Sequence, residues 1–393
     1  MRLLFVGVAL AAMAAGMSLR IADPLLPRLA REFGADLGEA SRVVTAFALA
    51  YGCAQALFGP LGDRFGKVRV IAWGCAASAA TALACALAPT LAAVIGARLL
   101  AGATAAAVIP LAMAWVGDSV PYERRQPVLA RFLIGQITGF AVGMWLGGYA
   151  AEHLAWPTPF AIIAATFAGV ALLLQVLRRR APPETTSADA FGLRRVVAEF
   201  GAVLARPWAR VVLLTVFLEG ATFFGAFPFI PAHLHARHGL PLSTAGALVM
   251  GFAGGGLVFS LSARVLVPAL GEITLVRWGA ALMTTTLSAV AIAPAWSWAV
   301  PACLAMGLGF YMMHNTLQTE ATQMAPERRG AAVAAFASCL FLGQSVGAGA
   351  AGLALGAIGT AGVLLAGAAG LLAVAWGFDR AKRRQTCSVR GSR

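Results

Sequence analysis

Apolar runs of about twenty residues recur along the whole chain. They fall near 3–22, 43–61, 70–89, 92–116, 128–150, 157–177, 211–232, 243–263, 274–293, 297–320, 331–353 and 357–377. Wound as a helix, a run of that length crosses roughly 30 Å of hydrocarbon. Hydrocarbon offers no partner to a bare backbone N–H or C=O, so the runs are expected to be helices. Composition points the same way: 60% of the 393 residues are hydrophobic and 12% are charged, more apolar surface than a soluble fold can hide. The expected fold class is an all-α integral membrane protein with twelve transmembrane helices.

One long polar interruption, 178–210, separates six runs from six. It contains Pro182 and Pro183 and an amphipathic piece near 191–204. The expected organisation is a six-helix bundle over 1–177, a linker over 178–210, a second bundle over 211–377 and a basic tail over 378–393. Helix 1 is expected to extend beyond Asp23 towards Leu29 on the outer side.

The net charge of +14 does not point to nucleic acid, because the cations are sorted by side. Arg178, Arg179, Arg180, Arg194 and Arg195 lie in the linker, and Arg380, Lys382, Arg383 and Arg384 in the tail. This positive-inside bias places both termini in the cytoplasm, and attraction to anionic lipid suits the tail. The first run follows Arg2 and carries small residues at Ala14 and Gly16, in the manner of a signal peptide. Cleavage there would leave an odd number of spans, so it reads as helix 1. Cys53, Cys75, Cys85, Cys303 and Cys339 lie in apolar runs, where cysteine acts as a small hydrophobe; Cys387 lies in the tail. No disulfide framework is expected.

Two short patterns carry more. Residues 59–69 read Gly-Pro-Leu-Gly-Asp-Arg-Phe-Gly-Lys-Val-Arg, a charged, glycine-rich turn between two apolar runs, held on the cytoplasmic side by Arg64, Lys67 and Arg69. The halves also repeat. Glu123-Arg124-Arg125 opens the fifth run and Glu327-Arg328-Arg329 the eleventh. Gly135-Gln136-x-x-Gly139 follows the first, and Gly343-Gln344-x-x-Gly347 follows the second about one helical turn later, which preserves the face. The second half lacks a good copy of the 59–69 turn; between Arg264 and Arg277 only scattered charges survive.

The turn resembles the loop between the second and third helices of the major facilitator superfamily, G-x-L-x-D-R-x-G-R-x-x. Gly59, Leu61, Asp63, Arg64 and Gly66 match, and Lys67 keeps the charge of the usual arginine. Arg98-Leu-Leu-Ala-Gly102 resembles the family's fourth-helix motif, R-x-x-x-G-x-x-x-A. Gly139, Gly143, Gly147 and Gly148 match the fifth-helix motif of its proton-linked exporters, where Met144 replaces the proline. With two similar halves and a basic central loop, the resemblance covers essentially the whole chain. It implies two rocking bundles with substrate near the midplane between them. It also implies that Gly59, Asp63, Arg64, Gly66 and Lys67 form a conformational latch, and that Arg98 takes part in proton or substrate coupling.

The residues themselves nominate further sites. Glu219 is the acid expected at mid-membrane depth, and an intramembrane ionisable residue is a functional candidate by default. It is read as a proton or cationic-substrate site, or else as a neutral tie between helices. Arg98 either lines the bundle interior or snorkels to the interface. Arg20 and Asp23, three residues apart, share a helix face and neutralise each other in the cavity wall or at the interface. His314, Asn315 and Gln318 fall on one face of span ten, as a cavity wall or as interhelical glue; Glu320 is placed near the cytoplasmic headgroups. Phe223 and Phe227 are expected to line an apolar cavity. Gly135, Gly139, Gly143 and Gly147 form a small-residue packing ridge.

Two patterns are set aside. Residues 62–68 lack the Ser/Thr and the preceding strand of a phosphate loop. His233-x-His235-x-x-His238 lies in an outer loop with no closed metal site. No catalytic constellation or cofactor fingerprint is found, so the chain is expected not to be an enzyme and to need no cofactor beyond a proton gradient. The expected function is proton-coupled efflux of a small amphipathic, cationic or sugar-like compound by alternating access. The expected setting is the bacterial inner membrane, and the expected state a monomer. Its rivals are a proton symporter or facilitator for uptake and, more remotely, a non-transporting membrane sensor.

Overall fold

A computed structural model describes residues 2–120, 122–179, 184 and 192–391. Pro182, Pro183 and Phe191 lie outside them, as do the side chains of Glu123, Arg124, Arg125, Arg195 and Cys387. The described residues are helical and contain no strand.

The first half comprises α1 (Arg2–Arg20), α2 (Leu26–Phe33), α3 (Leu37–Phe65), α4 (Lys67–Ala86), α5 (Leu91–Ala105), α6 (Val108–Ser119), α7 (Tyr122–His153) and α8 (Thr158–Arg179). A linker helix, α9 (Leu193–Leu204), follows. The second half comprises α10 (Pro207–Glu219), a π turn (Gly220–Phe224), α11 (Ile230–His238), α12 (Leu242–Ile292), α13 (Ala299–Gln323) and α14 (Arg329–Gly391). Among the described residues, ten helical segments, with α5 and α6 counted as one and α10 to α11 as one, are long and apolar enough to cross a membrane. Two of them, α12 at 51 residues and α14 at 63, leave helical geometry at Gly271 and Gly359. Each is twice the length of a span, so each supplies an outward and a return crossing. The described residues therefore make twelve crossings. Crossings in even number bring the start of α1 and the end of α14 to one face, the terminal face, where the 59–69 turn also lies.

Local chemistry sets the helix ends. Asp36 accepts from Glu39 N–H at 2.7 Å while the Glu39 carboxylate accepts from Asp36 N–H at 3.2 Å, a reciprocal cap. It starts α3 at Leu37, several residues before the apolar run. The outer extension of helix 1 is a separate helix, α2, because the chain turns through 21–25 and restarts with Pro27 in the first turn of α2, where proline costs no hydrogen bond. Span four is two helices, α5 and α6, meeting at Ala106 and Ala107. The span near 211–232 starts earlier, at Pro207, and passes through the π turn before reaching His238.

Close packing reveals the internal repeat. A Cβ on Gly135, Gly139 or Gly143 of α7 would meet the carbonyl of Ala9, Met13 or Met17 on α1, and one on Gly147 that of Ile21 just past its end. A Cβ on Gly343 or Gly347 of α14 would meet the carbonyl of Phe217 on α10 or of Ala221 in the π turn, at the same separation along the chain. The register is set by another matched pair: a Cβ on Gly16 would meet Gln136 O and Phe140 N, and one on Gly220 would meet Leu340 O and Gln344 N, so Gly16 corresponds to Gly220 and, at the same offset, Gly139 to Gly343, not Gly347. The Gly-Gln match in the sequence is one turn out of register, whereas the Glu-Arg-Arg match is in register. Gly102 against Phe47 and Gly307 against Phe252 form a second matched pair of close approaches.

The bundles meet along two seams. Between α3 and α14, Ser345 Oγ donates to Thr45 O at 3.0 Å, and Gly38 sits against Gly352. Between α7 and α12, Gly148 packs on Leu242 and the Glu152 carboxylate accepts from Ser243. These contacts lie in the half of each helix remote from the terminal face, so the bundles are drawn together at the far face.

Candidate functional site

Glu219 ends α10 and is fully buried. Its Oε2 lies 2.9 Å from His314 Nδ1 on α13, in hydrogen-bond contact, and its Oε1 has no partner. The imidazole is stacked on Phe310 with centroids 4.8 Å apart and tilted against Phe336 at 5.2 Å. A carboxylate and an imidazole in hydrogen-bond contact can pass one proton between them, and apolar walls strengthen that interaction by excluding water. The sequence nominated both residues separately. The structure joins them, and it sets Glu219 at the mouth of a π turn, a local widening common at functional sites. Asn315 and Gln318 lie half-buried on the same helix.

Phe223 and Phe227 are fully buried. They belong to an aromatic cluster with Phe224, Phe252 and Phe310, with centroids 4.9–6.4 Å apart. Phe140 of the first bundle joins it, stacked on Phe252 at 5.4 Å. Arg20 enters this cluster from α1, its guanidinium carbon 4.2 Å from the Phe224 centroid, 4.9 Å from Phe140 and 5.1 Å from Phe227. Arg20 Nη1 also donates to Asp23 Oδ2 at 3.3 Å, with both side chains buried. The pair is therefore interior, not interfacial.

Arg98 is interior as well, only 1% exposed. Its Nη1 donates to Ser18 O at 2.9 Å, its guanidinium lies 4.0 Å over Phe47, and its Nε and Nη2 have no partner. Snorkelling is ruled out by that burial. Cation–π contact is worth about 2 kcal/mol when desolvated, which offsets part of the cost of holding a guanidinium in a membrane.

At the terminal face, Lys67 Nζ contacts Asp63 Oδ1 at 2.9 Å and Asp118 Oδ2 of α6 at 2.6 Å. Asp63 thus pairs inside its own motif, and the motif reaches a neighbouring helix through Lys67. Arg64 is exposed, over its neighbour Phe65. Gly66 takes φ 91°, the conformation that favours glycine, and Gly59 is exposed. The Glu184 carboxylate accepts from Val68 N–H at 3.1 Å.

Glu320, near the terminal-face end of α13, is covered by protein, accepting from Trp208 Nε1 at 2.9 Å and from Lys382. Nothing in the sequence linked the linker end or the tail to span ten. His233 is buried, with Nδ1 against Thr360 Oγ1 at 2.9 Å and Nε2 against Val290 O at 3.2 Å. His235 Nδ1 contacts Leu240 O at 2.7 Å. The imidazoles of His233 and His235 thus bond to separate backbone and hydroxyl groups.

Two six-span bundles repeated along one chain, with Arg20 of the first buried against rings of the second, have the architecture of a membrane transporter. The chain belongs to the Major Facilitator Superfamily, whose family model matches residues 8–348. It is a multi-pass membrane transporter, not an enzyme. It is 26% identical over 337 residues to the MFS-type transporter YceJ of Bacillus subtilis (strain 168), covering 84% of this chain and 83% of that protein. It is 30% identical over 185 residues to the multidrug export protein EmrB of Escherichia coli (strain K12), covering 47% of this chain but 36% of EmrB. Among solved structures, one of the nucleoside transporter NupG superposes with a TM-score of 0.79 at 15% identity, covering 95% of this chain and 98% of NupG; that likeness shows the fold alone.

Proposed function

We propose that the protein exports a small amphipathic or cationic organic compound in exchange for protons, and that Glu219 with His314 is the proton-coupling site. The observation that carries this reading is the 2.9 Å contact between a fully buried carboxylate and an imidazole. Such a pair binds a proton or an organic cation in alternation, because either one satisfies the buried negative charge. Aromatic rings beside it suit an amphipathic body, and the EmrB likeness favours efflux over uptake. Arg98 and the Arg20/Asp23 pair complete the coupling path, and Asn315 and Gln318 offer hydrogen bonds to substrate. In this reading the terminal face is cytoplasmic, the membrane is the bacterial inner membrane, and a monomer suffices because one chain encloses the site.

The test is proton flux in inside-out vesicles with a pH-sensitive dye and a panel of cationic drugs and sugars, with wild type and Glu219→Gln run in parallel. A compound that dissipates the imposed gradient with wild type alone supports the reading. Labelled solute that equilibrates without proton movement replaces it with a facilitator.

A further inference from the structure

The Arg20 guanidinium comes from the first bundle, while two of the three rings around it, Phe224 and Phe227, come from the second. Its anionic partner Asp23 lies three residues along the same chain segment. When the bundles part at the far face, the ion pair travels intact with α1 and only the rings are left behind. That makes the contact separable: no buried carboxylate is orphaned when it breaks. Phe224 is also the last residue of the π turn whose preceding residue is Glu219. A π turn holds one residue more than an α turn, and regularising it rotates whatever follows.

We propose that Arg20, Phe224 and Phe227 form the clasp that holds the far face shut, and that the π turn ties this clasp to Glu219. The coupling half rests on the proton-site reading above; the clasp half does not. When Glu219 and His314 change protonation or ligand, their contact across α10 and α13 changes, and the turn moves the Phe224 ring against Arg20. The titratable groups in reach are few. Glu219 faces His314. Arg20 faces Asp23 and, electrostatically, Tyr311, while Asp23 also feels Arg98.

Hydrogen–deuterium exchange of the full chain in nanodiscs tests this. In Phe224→Leu/Phe227→Leu, apolar character and the Arg20/Asp23 pair remain, a little volume is lost, and the two ring faces that the second bundle offers Arg20 are removed. The opening equilibrium is expected to shift roughly tenfold towards an open far face. Exchange should rise in segments 21–36 and 235–242 and fall reciprocally at 59–69, because closing one face opens the other. Phe224→Tyr, which keeps the ring, should behave as wild type. Local loosening alone would raise far-face exchange without the fall at 59–69, and that outcome overturns the clasp. The second arm repeats the measurement at acidic and alkaline pH with wild type and Glu219→Gln. Loss of the pH response in Glu219→Gln supports the tie. A response that persists while the clasp variants still open overturns the proton-site reading and leaves the clasp standing.

Discussion

The terminal-face corners of the two bundles solve one problem with opposite charges. In the first, Gly66 at φ 91° turns the chain from α3 into α4, and Lys67 sits between Asp63 and Asp118. In the second, Gly271 at φ 70° turns α12 back on itself, and the residue after it is an acid, Glu272. The cation there arrives from the end of α14: Lys382 contacts Glu320 and lies 3.5 Å from Glu272. The repeat has kept the backbone turn and the need to tie span ends together, but not the residues that do it. The ties also differ in wetness. Asp63 and Asp118 are each 59% exposed, whereas Glu320 is 7% exposed and bonded to the Trp208 indole. A dry tie depends on its partners, because a lone buried charge is costly; a wet one falls back on water. The first corner is therefore suited to being broken in each cycle and the second to staying closed.

Removing one acid from each corner should separate them most clearly. Glu320→Gln keeps an acceptor for the Trp208 indole but removes the buried carboxylate that Lys382 contacts, with Glu272 remaining at 3.5 Å, and about 2 kcal/mol of stability should be lost. Asp118→Asn leaves a cation that Asp63 and water still satisfy, so its loss should stay below about 1 kcal/mol. Thermal unfolding in detergent compares the two. Equal shifts in melting temperature would show that wetness does not distinguish the corners.

The glycines offer a finer comparison. Gly66 (φ 91°, ψ 131°) and Gly271 (φ 70°, ψ 167°) both lie where essentially only glycine is at ease, and alanine there costs on the order of 1–3 kcal/mol. At Gly271 nothing else lies within 4 Å of the added Cβ, but at Gly66 it would meet the Glu184 carboxylate at 3.3–3.4 Å. Gly66→Ala should therefore exceed Gly271→Ala in destabilisation by a few tenths to about 1 kcal/mol. The same measurement in Glu184→Ala should abolish the excess, and an excess that survives would place its cause elsewhere.

These corners also show what the sequence could disclose. The first was legible because charge, glycine and spacing coincide in eleven consecutive positions, 59–69. The second was not, because its cation sits more than a hundred positions from its glycine and only folding brings them together. Glu219 was legible as an acid within an apolar run, and His314 as part of a polar stripe. Their contact was not, since spacing orders residues along one helix and says nothing across two. The π turn was invisible: Gly-Ala-Thr-Phe-Phe reads as an ordinary stretch of span. Arg20 and Asp23 were placed on one face by their spacing, but the rings that receive Arg20 belong to other helices. The Gly-Gln pairs lie one turn out of register because helix register is fixed by the backbone each glycine approaches, and residue identity carries no record of that.

The smallest expected change in stability belongs to Asp63→Asn. Asp63 is mostly exposed, and Lys67 keeps its 2.6 Å contact with Asp118, so unfolding should shift by no more than about 0.5 kcal/mol. Membrane insertion should be unchanged. Yet if the wet corner is the one remade in each cycle, flux must depend on the charge at 63, because the latch gains its difference between states from pairing and releasing that carboxylate. Transport in vesicles should then collapse in a protein of near wild-type stability. Unimpaired flux in Asp63→Asn would remove the latch and reduce the first corner to a solvated turn, leaving the two corners different in composition but alike in role.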